Sequence, residues 1–322
     1  MTKKKVAVIY NKGLGSFLNW VDKIDKNKYM TFKYATSNTT DVDEAMDWAD
    51  IIWFEFGNEP AIYGLDALAK AKTTGKQVIV RIHAYEIFNH LLNRLNWETM
   101  TDVVFVSDHC REIADIFCQN DGKPPMADRQ VKVHVIPNGL HVDRTALLSP
   151  GFGYNIAVVG FINYKKAPPM VMQILQSLVK IDKRYKIHWA GAVQDTMYEV
   201  YLQNLVKKLG FEKNIAFYGH VDDMDAFWVN KNFLLSCSVF EGHGLGMVEA
   251  MLRGIPPVVH SYFGAEDMFP KEGIFDLYTD AVDMMRENSP LVKGDGSHLR
   301  QWVIDKGWEV NAAAKKIEGI FK

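Results

Sequence analysis

Two carboxylates flank a glycine-rich turn in the segment FEGHGLGMVEAMLRGIPPVV, which spans residues 240–259. The apolar run before this segment predicts a strand, and LGMVEAMLRG predicts the helix that follows, stopped by Gly254. Such a helix presents free backbone N–H groups and the positive end of its dipole, which bind phosphate. Glu241 and Glu249 lie on either side of that position, and carboxylates accept hydrogen bonds from hydroxyl groups. A ligand with hydroxyls at both ends and phosphates in the middle is a nucleotide sugar.

The same segment resembles the signature of the retaining GT-B glycosyltransferases of glycosyltransferase family 4. In that family two glutamates flank a glycine-containing loop, and a tail of the form E-A-M-x-x-G-x-P-x-V follows. The resemblance implies that Glu249 binds the ribose hydroxyls of the donor and that Glu241 binds hydroxyls of the donor sugar. It also implies that the diphosphate or the sugar contacts the backbone of four consecutive residues: Gly244, Leu245, Gly246 and Met247.

A second stretch, VVGFINYKKAPPMVMQIL, resembles the start of the donor domain in that family. The usual pattern there is G-R-x-x-x-x-K-G, and Gly160 and Lys166 match it. Phe161 stands in place of the arginine, and Ala167 stands in place of the second glycine. The missing guanidinium removes a bidentate partner of the diphosphate leaving group. We expect Lys165, next to Lys166, to supply a second positive charge instead.

Two candidate sites in the first half of the chain follow predicted strands. His83 comes directly after QVIVRI and matches a histidine that family members carry near the reacting sugar carbon. The resemblance implies that a neutral imidazole there hydrogen-bonds the donor sugar or orients the acceptor. Gly13 and Gly15 lie in NKGLGSF, where they let the backbone approach a phosphate or a sugar. The segments VKVHVIPNGLHVDRT and VVFVSDHCREIA resemble the family as well.

Short apolar runs alternate with amphipathic stretches along the chain. The first half contains strand-like runs such as VAVIY, IIWFEF and QVIVRI, and helical spacing in DVDEAMDWA, IYGLDALAKAK and DHCREIADIFCQN. We expect the aspartates that open two of these helices to cap them. The pattern breaks at the Pro/Gly-rich stretch SPGFG and then restarts with YNIAVVG, KIHWAG, NIAFYG, FLLSCS and PPVVH. Alternation of this kind predicts parallel sheets with crossover helices.

The fold class predicted in this way is α/β: a GT-B arrangement of two Rossmann-like, doubly wound parallel-sheet domains facing a cleft. We assign residues 1–148 to an N-terminal Rossmann-like domain on the acceptor side and residues 149–302 to a C-terminal Rossmann-like domain on the nucleotide-sugar donor side. Residues 303–322 form a final helix that packs back on the N-terminal domain. The donor base is expected to contact the loops after KIHWAG and NIAFYG, largely through backbone atoms.

Composition excludes several classes of protein. A formal net charge of -2 over 322 residues argues against a nucleic-acid binder, which normally has a basic surface. The three cysteines form no C-x-x-C pair, which suits a reducing compartment. The apolar run near the N-terminus is too short for a signal peptide, and no segment has membrane-spanning length. We therefore expect a cytoplasmic protein, and peripheral contact with a membrane stays open. We expect no metal or other cofactor, because protein groups are expected to neutralise the diphosphate.

Other chemistries find weaker support in the sequence. His83, Glu86 and His90 would share one helical face as metal ligands, but no established zinc spacing fits and H-E-x-x-H is absent. The D-x-D in VDDMD occurs in metal-dependent glycosyltransferases of the other major fold, but Asp222 and Asp223 fit capping and first-turn positions better. A dehydrogenase requires G-x-G-x-x-G, and GLGSFL has only its first two glycines. The phosphate loop G-x-x-x-x-G-K-[ST] is absent.

The sequence therefore predicts a retaining glycosyltransferase that moves a sugar from a nucleotide-sugar donor to a hydroxyl acceptor on a glycan, a lipid-linked molecule or a small molecule. The predicted catalytic residues are His83, Glu241 and Lys166. Two alternatives stay open. One is a non-catalytic nucleotide-sugar binding protein, which Phe161 favours, and the other is a GT-B sugar-nucleotide epimerase.

Overall fold

A computed structural model describes residues 2–73 and 75–322 of the chain. The apolar runs named above form strands, and the amphipathic stretches between them form helices. The chain separates into two units: residues up to His141 together with Gly307–Lys322, and Val142–Lys306. These divisions lie a few residues from the boundaries predicted at 148/149 and 302/303.

The first unit is built on a six-stranded parallel sheet of order β2-β1-β3-β4-β5-β6. Its strands are β1 (Lys4–Tyr10), β2 (Tyr29–Ala35), β3 (Ile51–Phe54), β4 (Gln77–Ile82), β5 (Asp102–Phe105) and β6 (Lys132–Val135). Its first helices are α1 (Thr39–Trp48), α2 (Glu59–Ala71), α3 (Ala84–Phe88) and α4 (Asp108–Asn120). Every residue of β3 and β4 is buried, as expected for central strands covered on both faces.

The prediction that aspartates cap α1 and α4 was wrong. The α1 cap is Asn38, whose side chain accepts a hydrogen bond from the Thr40 N–H, and the α4 cap is Ser107, which accepts one from the Cys110 N–H. Each aspartate instead lies in the first turn, where a negative charge interacts favourably with the helix dipole. Asn38 lies three positions before Asp41, and Ser107 lies one position before Asp108. These short polar side chains cap the two helices.

The second unit repeats the architecture with a parallel sheet of order β12-β11-β10-β7-β8-β9. Its strands are β7 (Asn155–Val159), β8 (Lys186–Ala190), β9 (Ile215–Gly219), β10 (Phe233–Ser236), β11 (Pro257–His260) and the short β12 (Ile274–Phe275). Its helices are α5 (Pro168–Ile181), α6 (Thr196–Leu209), α7 (Met224–Trp228), α8 (Leu245–Leu252), α9 (Ala265–Met268), α10 (Tyr278–Met284) and α11 (Ser297–Asp305). Because β7 and β10 are neighbours, the loops that follow them lie side by side.

The final helix, α12 (Val310–Glu318), belongs to the first unit. The helical periodicity near the C-terminus is divided between α11 and α12, because Gly307 takes a left-handed conformation with φ of 69°. The backbone of Leu140 pairs with the segment that leads into α12. The Leu140 N–H donates to the Trp308 carbonyl at 2.9 Å, and the Leu140 carbonyl accepts from the Val310 N–H at 2.8 Å. Ile317 is fully buried in the same core as residues of β1, β3 and β4. Among the described residues, no helix combines the length and the apolar character that a membrane span requires.

The packing of α12 predicts a specific loss of stability. Ile317→Ala should lower the free energy of unfolding by about 2–5 kcal/mol, because it removes a buried side chain and leaves a cavity. Lys315→Ala, an exposed change on the same helix, is the matched control and should cost less than about 0.5 kcal/mol. Urea unfolding of both variants measures the difference, and equal small losses would show that α12 is not part of this core.

Candidate functional site

One cavity in the second unit gathers half of the predicted site residues. It lies where the loops after β7 and β10 meet the first turn of α8, at the carboxyl ends of the strands. Ligands bind at this edge in open parallel sheets. The predicted residues that line it are Lys166, Glu241, Gly244, Leu245, Gly246 and Met247.

A compact charge cluster occupies one wall of this cavity. Glu241 is only 7% exposed, and its Oε1 lies 2.6 Å from Lys166 Nζ while its Oε2 lies 3.1 Å from Lys165 Nζ. Ser238, which is fully buried, donates a third hydrogen bond to Oε1 at 2.8 Å. Ser236 in turn donates to the Ser238 hydroxyl at 3.2 Å. The serines were missed in the sequence because only the fold brings the end of β10 against the glutamate.

The electrostatics of the cluster favour an anionic ligand. Burial alone would raise the pKa of Glu241, but the ammonium groups of Lys166 and Lys165 and the Ser238 hydroxyl bring that pKa down to about 2. One carboxylate facing two ammonium groups leaves a net positive charge next to the start of α8. A diphosphate would find two cations and backbone N–H donors on this wall.

Glycines at the ends of β7 and β8 make room for this arrangement. A Cβ atom on Gly160 would lie 2.5 Å from Lys166 Cε, so a side chain there would displace the lysine. A Cβ atom on Gly191 would lie 2.0 Å from the Gly160 carbonyl oxygen, and the Gly191 N–H donates to the Gly219 carbonyl at 2.7 Å. The ends of β7, β8 and β9 therefore present backbone rather than side chains at this edge.

The first turn of α8 has donors available in the described chain. Gly244 precedes the helix with φ of 69°, and its carbonyl accepts hydrogen bonds from the Met247 and Val248 N–H groups. Leu245 and Gly246 have no backbone acceptor among the described residues, so their N–H groups are the ones available to a phosphate. Met247 itself is buried, and a Cβ on Gly246 would lie 3.1 Å from the Val159 side chain. Gly246 thus lets α8 pack closely against β7.

The departures from the family pattern in the loop after β7 have visible consequences. Phe161, at the arginine position, is 52% exposed. Ala167 has φ of 45°, a left-handed conformation that favours glycine, which is the residue the pattern has there. Lys165 reaches the same carboxylate as Lys166, so the second cation that sequence predicts lies in the cluster.

Glu249 lies in a different electrostatic environment from Glu241. It is half-buried on α8, and burial raises its pKa, an effect that Arg253 and the Trp228 indole oppose in part. Arg253 donates to the Glu249 carbonyl at 3.0 Å and forms an ion pair with Asp225. Arg253, Trp228 and Asp225 were not predicted, since α7 and the end of α8 come together only through the fold.

In the first unit, His83 and the glycine loop come together. Phe17, just after Gly15, contacts the His83 ring edge-on with a centroid distance of 5.0 Å. Gly13 has φ of 87°, which requires glycine, whereas Gly15 has no such requirement. The roles predicted for His83 and these glycines stay predictions.

The alternative metal ligands do not share a surface. Helix α3 ends at Phe88, so His90 lies beyond it with φ of 54° and cannot share a helical face with His83. The Glu86 carboxylate instead accepts the backbone N–H groups of Gly57 and His83 at 2.9 and 3.0 Å. No group of three or more potential metal-binding side chains occurs among the described residues. The cap of α7 is Asp223, one position later than predicted, so Asp222 precedes the cap and Asp225 lies in the first turn.

Residues 143–274 match the sequence profile of the family described as glycosyl transferases group 1. A search of curated proteins by sequence found no match. The HepE protein (Alr3699) of Anabaena, solved in complex with UDP and glucose, is 14% identical and superimposes with a TM-score of 0.75 over 98% of both chains. The fold is GT-B.

Two other GT-B structures cover the chain equally well. The apo form of WaaB, a lipopolysaccharide outer core galactosyltransferase, is 14% identical with a TM-score of 0.68 over 98% of this chain and 99% of its own. A glycosyltransferase of Rickettsia africae is 12% identical with a TM-score of 0.69 over 100% of this chain and 98% of its own. Identities this low establish the shared fold.

The two glutamates of this GT-B chain should respond to pH in opposite ways. Glu241→Gln should lower the free energy of unfolding by roughly 3 kcal/mol at neutral pH, because the folded pKa of Glu241 is about 2 against an ordinary value of 4.5. This stability is present above the unfolded pKa and is lost as the pH falls from about 4.5 toward 2. The free energies of unfolding of wild type and variant, measured in urea across this pH range, should therefore converge in acid.

Glu249→Gln is the matched control on the same turn-helix segment. Because burial raises the pKa of Glu249, its charged form lowers the stability of the folded protein. The free energy of unfolding of Glu249→Gln should therefore increase relative to that of wild type as the pH rises. Parallel pH curves for the two variants would contradict the assignment of opposite environments.

Proposed function

We propose that this protein is a retaining glycosyltransferase that transfers a sugar from a nucleotide-sugar donor to a hydroxyl acceptor. The observation that carries the proposal is the cluster of Lys165, Lys166 and Glu241 beside the N-terminus of α8. It lies inside the stretch that matches the glycosyl transferases group 1 profile. The GT-B fold is compatible with this function but does not specify it.

The diphosphate of the donor is proposed to bind between the two lysines and the start of α8. Lys166 matches the lysine of the family pattern, and Lys165 supplies the charge that Phe161 cannot. Glu241 holds both ammonium groups in position before the ligand arrives, so they need little rearrangement. The resemblance adds a second role for Glu241, in which the carboxylate accepts a hydroxyl of the donor sugar.

The nucleoside is proposed to extend from the diphosphate along α8. Glu249 would accept the ribose hydroxyls, as the resemblance implies, from its half-buried position. The base would lie against the exposed backbone at the ends of β8 and β9, near Gly191 and Gly219. Because the similar HepE structure contains UDP and glucose, a UDP-sugar is the first donor to test.

The mechanism that the family resemblance implies is same-face displacement. Positive charge fixed at the leaving group stabilises the departing diphosphate, and preorganised charge of this kind is usually the largest contribution to catalysis. The departing phosphate helps to take the proton from the acceptor hydroxyl, which attacks from the same face. His83 contacts the donor sugar or the acceptor. Because lysines and helix N–H groups neutralise the diphosphate, we propose that no metal is required.

Binding of nucleotides to lysine variants tests the proposal. Lys165→Ala and Lys166→Ala should each weaken UDP binding roughly ten- to hundredfold, since a charge-assisted hydrogen bond contributes about 1.5–3 kcal/mol. The same substitutions should weaken the binding of UMP less, because UMP lacks the second phosphate. The exposed Lys207 on α6 provides the matched control, and Lys207→Ala should leave UDP binding unchanged.

The measurement is the rise in melting temperature with UDP, GDP or ADP, because a ligand that binds only the folded state stabilises it. Glu249→Ala should reduce the response to UDP and UMP alike, as expected for a ribose contact. The absence of a response to any nucleoside diphosphate in wild type, or equal losses in all three lysine variants, would refute the proposed site.

Incubation with the UDP-sugar that binds separates transfer from the alternatives. Without an acceptor, the transferase should show at most slow hydrolysis, an epimerase would form a new sugar nucleotide, and a binding protein would form no product. With an acceptor, chelator should leave the transfer rate within about twofold, because the ligand charge is met by protein groups. Loss of transfer on adding chelator, restored by a divalent cation, would show that the metal-independent mechanism is wrong.

A further inference from the structure

Two fully buried charges lie beneath the carboxyl edge of the first unit's sheet. Glu55 follows β3 and Arg81 lies in the neighbouring strand β4, and both are 0% exposed. Glutamate and arginine are rarely buried to this extent unless they are paired. Their pair joins Arg81 Nη1 to Glu55 Oε1 at 3.2 Å.

The surrounding groups hold this pair in one geometry. Trp53 Nε1 donates to Glu55 Oε2 at 2.8 Å, and Arg81 Nη2 donates to the Ile136 carbonyl at 2.9 Å. A buried ion pair is often no more stable than well-packed apolar residues of the same volume. Stability alone therefore gives little reason for a carboxylate at this position. The third side chain that contacts Glu55 indicates a different role.

That neighbour is the imidazole of His83. Its Nε2 lies 3.4 Å from Glu55 Oε1, the same oxygen that contacts Arg81. The ring stacks on Phe56 with centroids 4.4 Å apart and planes at 22°, and Phe17 contacts it edge-on. The His83 backbone N–H donates to Glu86, which fixes the start of α3. The side chain is 9% exposed, so the ring is held on several sides and reaches the surface only narrowly.

The contact with Glu55 determines which ring nitrogen carries the proton. A carboxylate paired with an arginine accepts hydrogen bonds and does not donate them, so Nε2 must be the protonated nitrogen. Burial lowers the pKa of His83, an effect that outweighs Glu55, so the ring is neutral at physiological pH. In a neutral imidazole the other nitrogen, Nδ1, is then the hydrogen-bond acceptor.

We propose that Glu55 is a positioning residue that fixes His83 as the neutral Nε2–H tautomer, so that Nδ1 accepts a hydrogen bond from a substrate hydroxyl. This role rests on the proposed function, in which His83 contacts the donor sugar or the acceptor. Arg81 contributes by holding the carboxylate, and the two phenylalanines fix the ring plane. The hydroxyl-bearing ligand would be a sugar, since hydroxyls are the groups that both substrates present.

The ring nitrogens of His83 in the full-length wild-type protein provide the first test. Multiple-bond ¹H–¹⁵N correlation spectra, assigned with the His83→Ala variant, should show Nε2 as the protonated, pyrrole-type nitrogen and Nδ1 as the unprotonated one at neutral pH. Proton attachment at Nδ1, or a doubly protonated ring, would overturn the proposal. This readout needs neither donor nor acceptor, so it does not depend on transfer activity.

Two variants of the network then separate positioning from packing. Glu55→Leu, which removes the acceptor oxygen, should abolish the single Nε2–H signature and lower the kcat of transfer on the order of tenfold. Trp53→Phe, which removes a donor to the other oxygen of the same carboxylate, should keep the signature. Circular dichroism confirms that each variant is folded before comparison.

The nucleotide response distinguishes failure of this inference from failure of the proposed function. UDP should raise the melting temperature of Glu55→Leu as it does for wild type, because the proposed diphosphate contacts lie in the second unit. An unchanged tautomer in folded Glu55→Leu, or the same loss in Trp53→Phe, would overturn the positioning role even where UDP still binds.

Discussion

Glu241 is buried beside two lysines, and in a place that excludes most water these three charges constrain one another strongly. If both lysines moved away, a buried carboxylate would be left without an opposite charge, which is costly. The loop after β7 and the loop after β10 are therefore held together by an electrostatic contact in addition to packing. The shape of the cavity, the position of the cations and the approach to α8 all depend on this contact.

The two glutamates that flank the glycine-rich turn show how position in a fold changes the chemistry of one residue type. Glu241 faces ammonium groups and stays ionised far into acid, whereas Glu249 lies where burial raises its pKa. They are only eight positions apart in the chain. The difference comes from what the neighbouring strands and helices bring to each carboxyl group.

Much of the fold follows from local patterns in the chain. Continuous apolar runs such as QVIVRI predict central strands, and helix α4 has the bounds that its spacing predicts. The GT-B class followed from the resemblance together with this alternation. The capping residues were mispredicted because Asp41 and Asp108 fit a cap as well by type as Asn38 and Ser107 do. The two-residue strand β12 is too short to leave a pattern.

The candidate site was less accessible to sequence reasoning. Residues in one contiguous loop, such as Lys165 and Lys166, could be predicted together because their neighbours in the chain are also their neighbours in space. Trp228 comes to the site from a separate helix, whereas Ser238 and Arg253 lie beside or within the glycine-rich segment but at positions that its pattern does not specify. Arg81 illustrates the difficulty best, since its charge lies inside a mostly apolar strand and its partner, Glu55, follows the neighbouring strand β3.

The return of the chain to the first unit has a consequence for synthesis on the ribosome. Helix α12 completes a core made by β1, β3 and β4, but all of Val142–Lys306 is translated before it. Until α12 emerges, the strands of the first unit therefore have part of their apolar surface uncovered. The later segment, which is continuous, has all of its strands and helices before α12 is translated. Folding during translation therefore favours completion of the second half before the first.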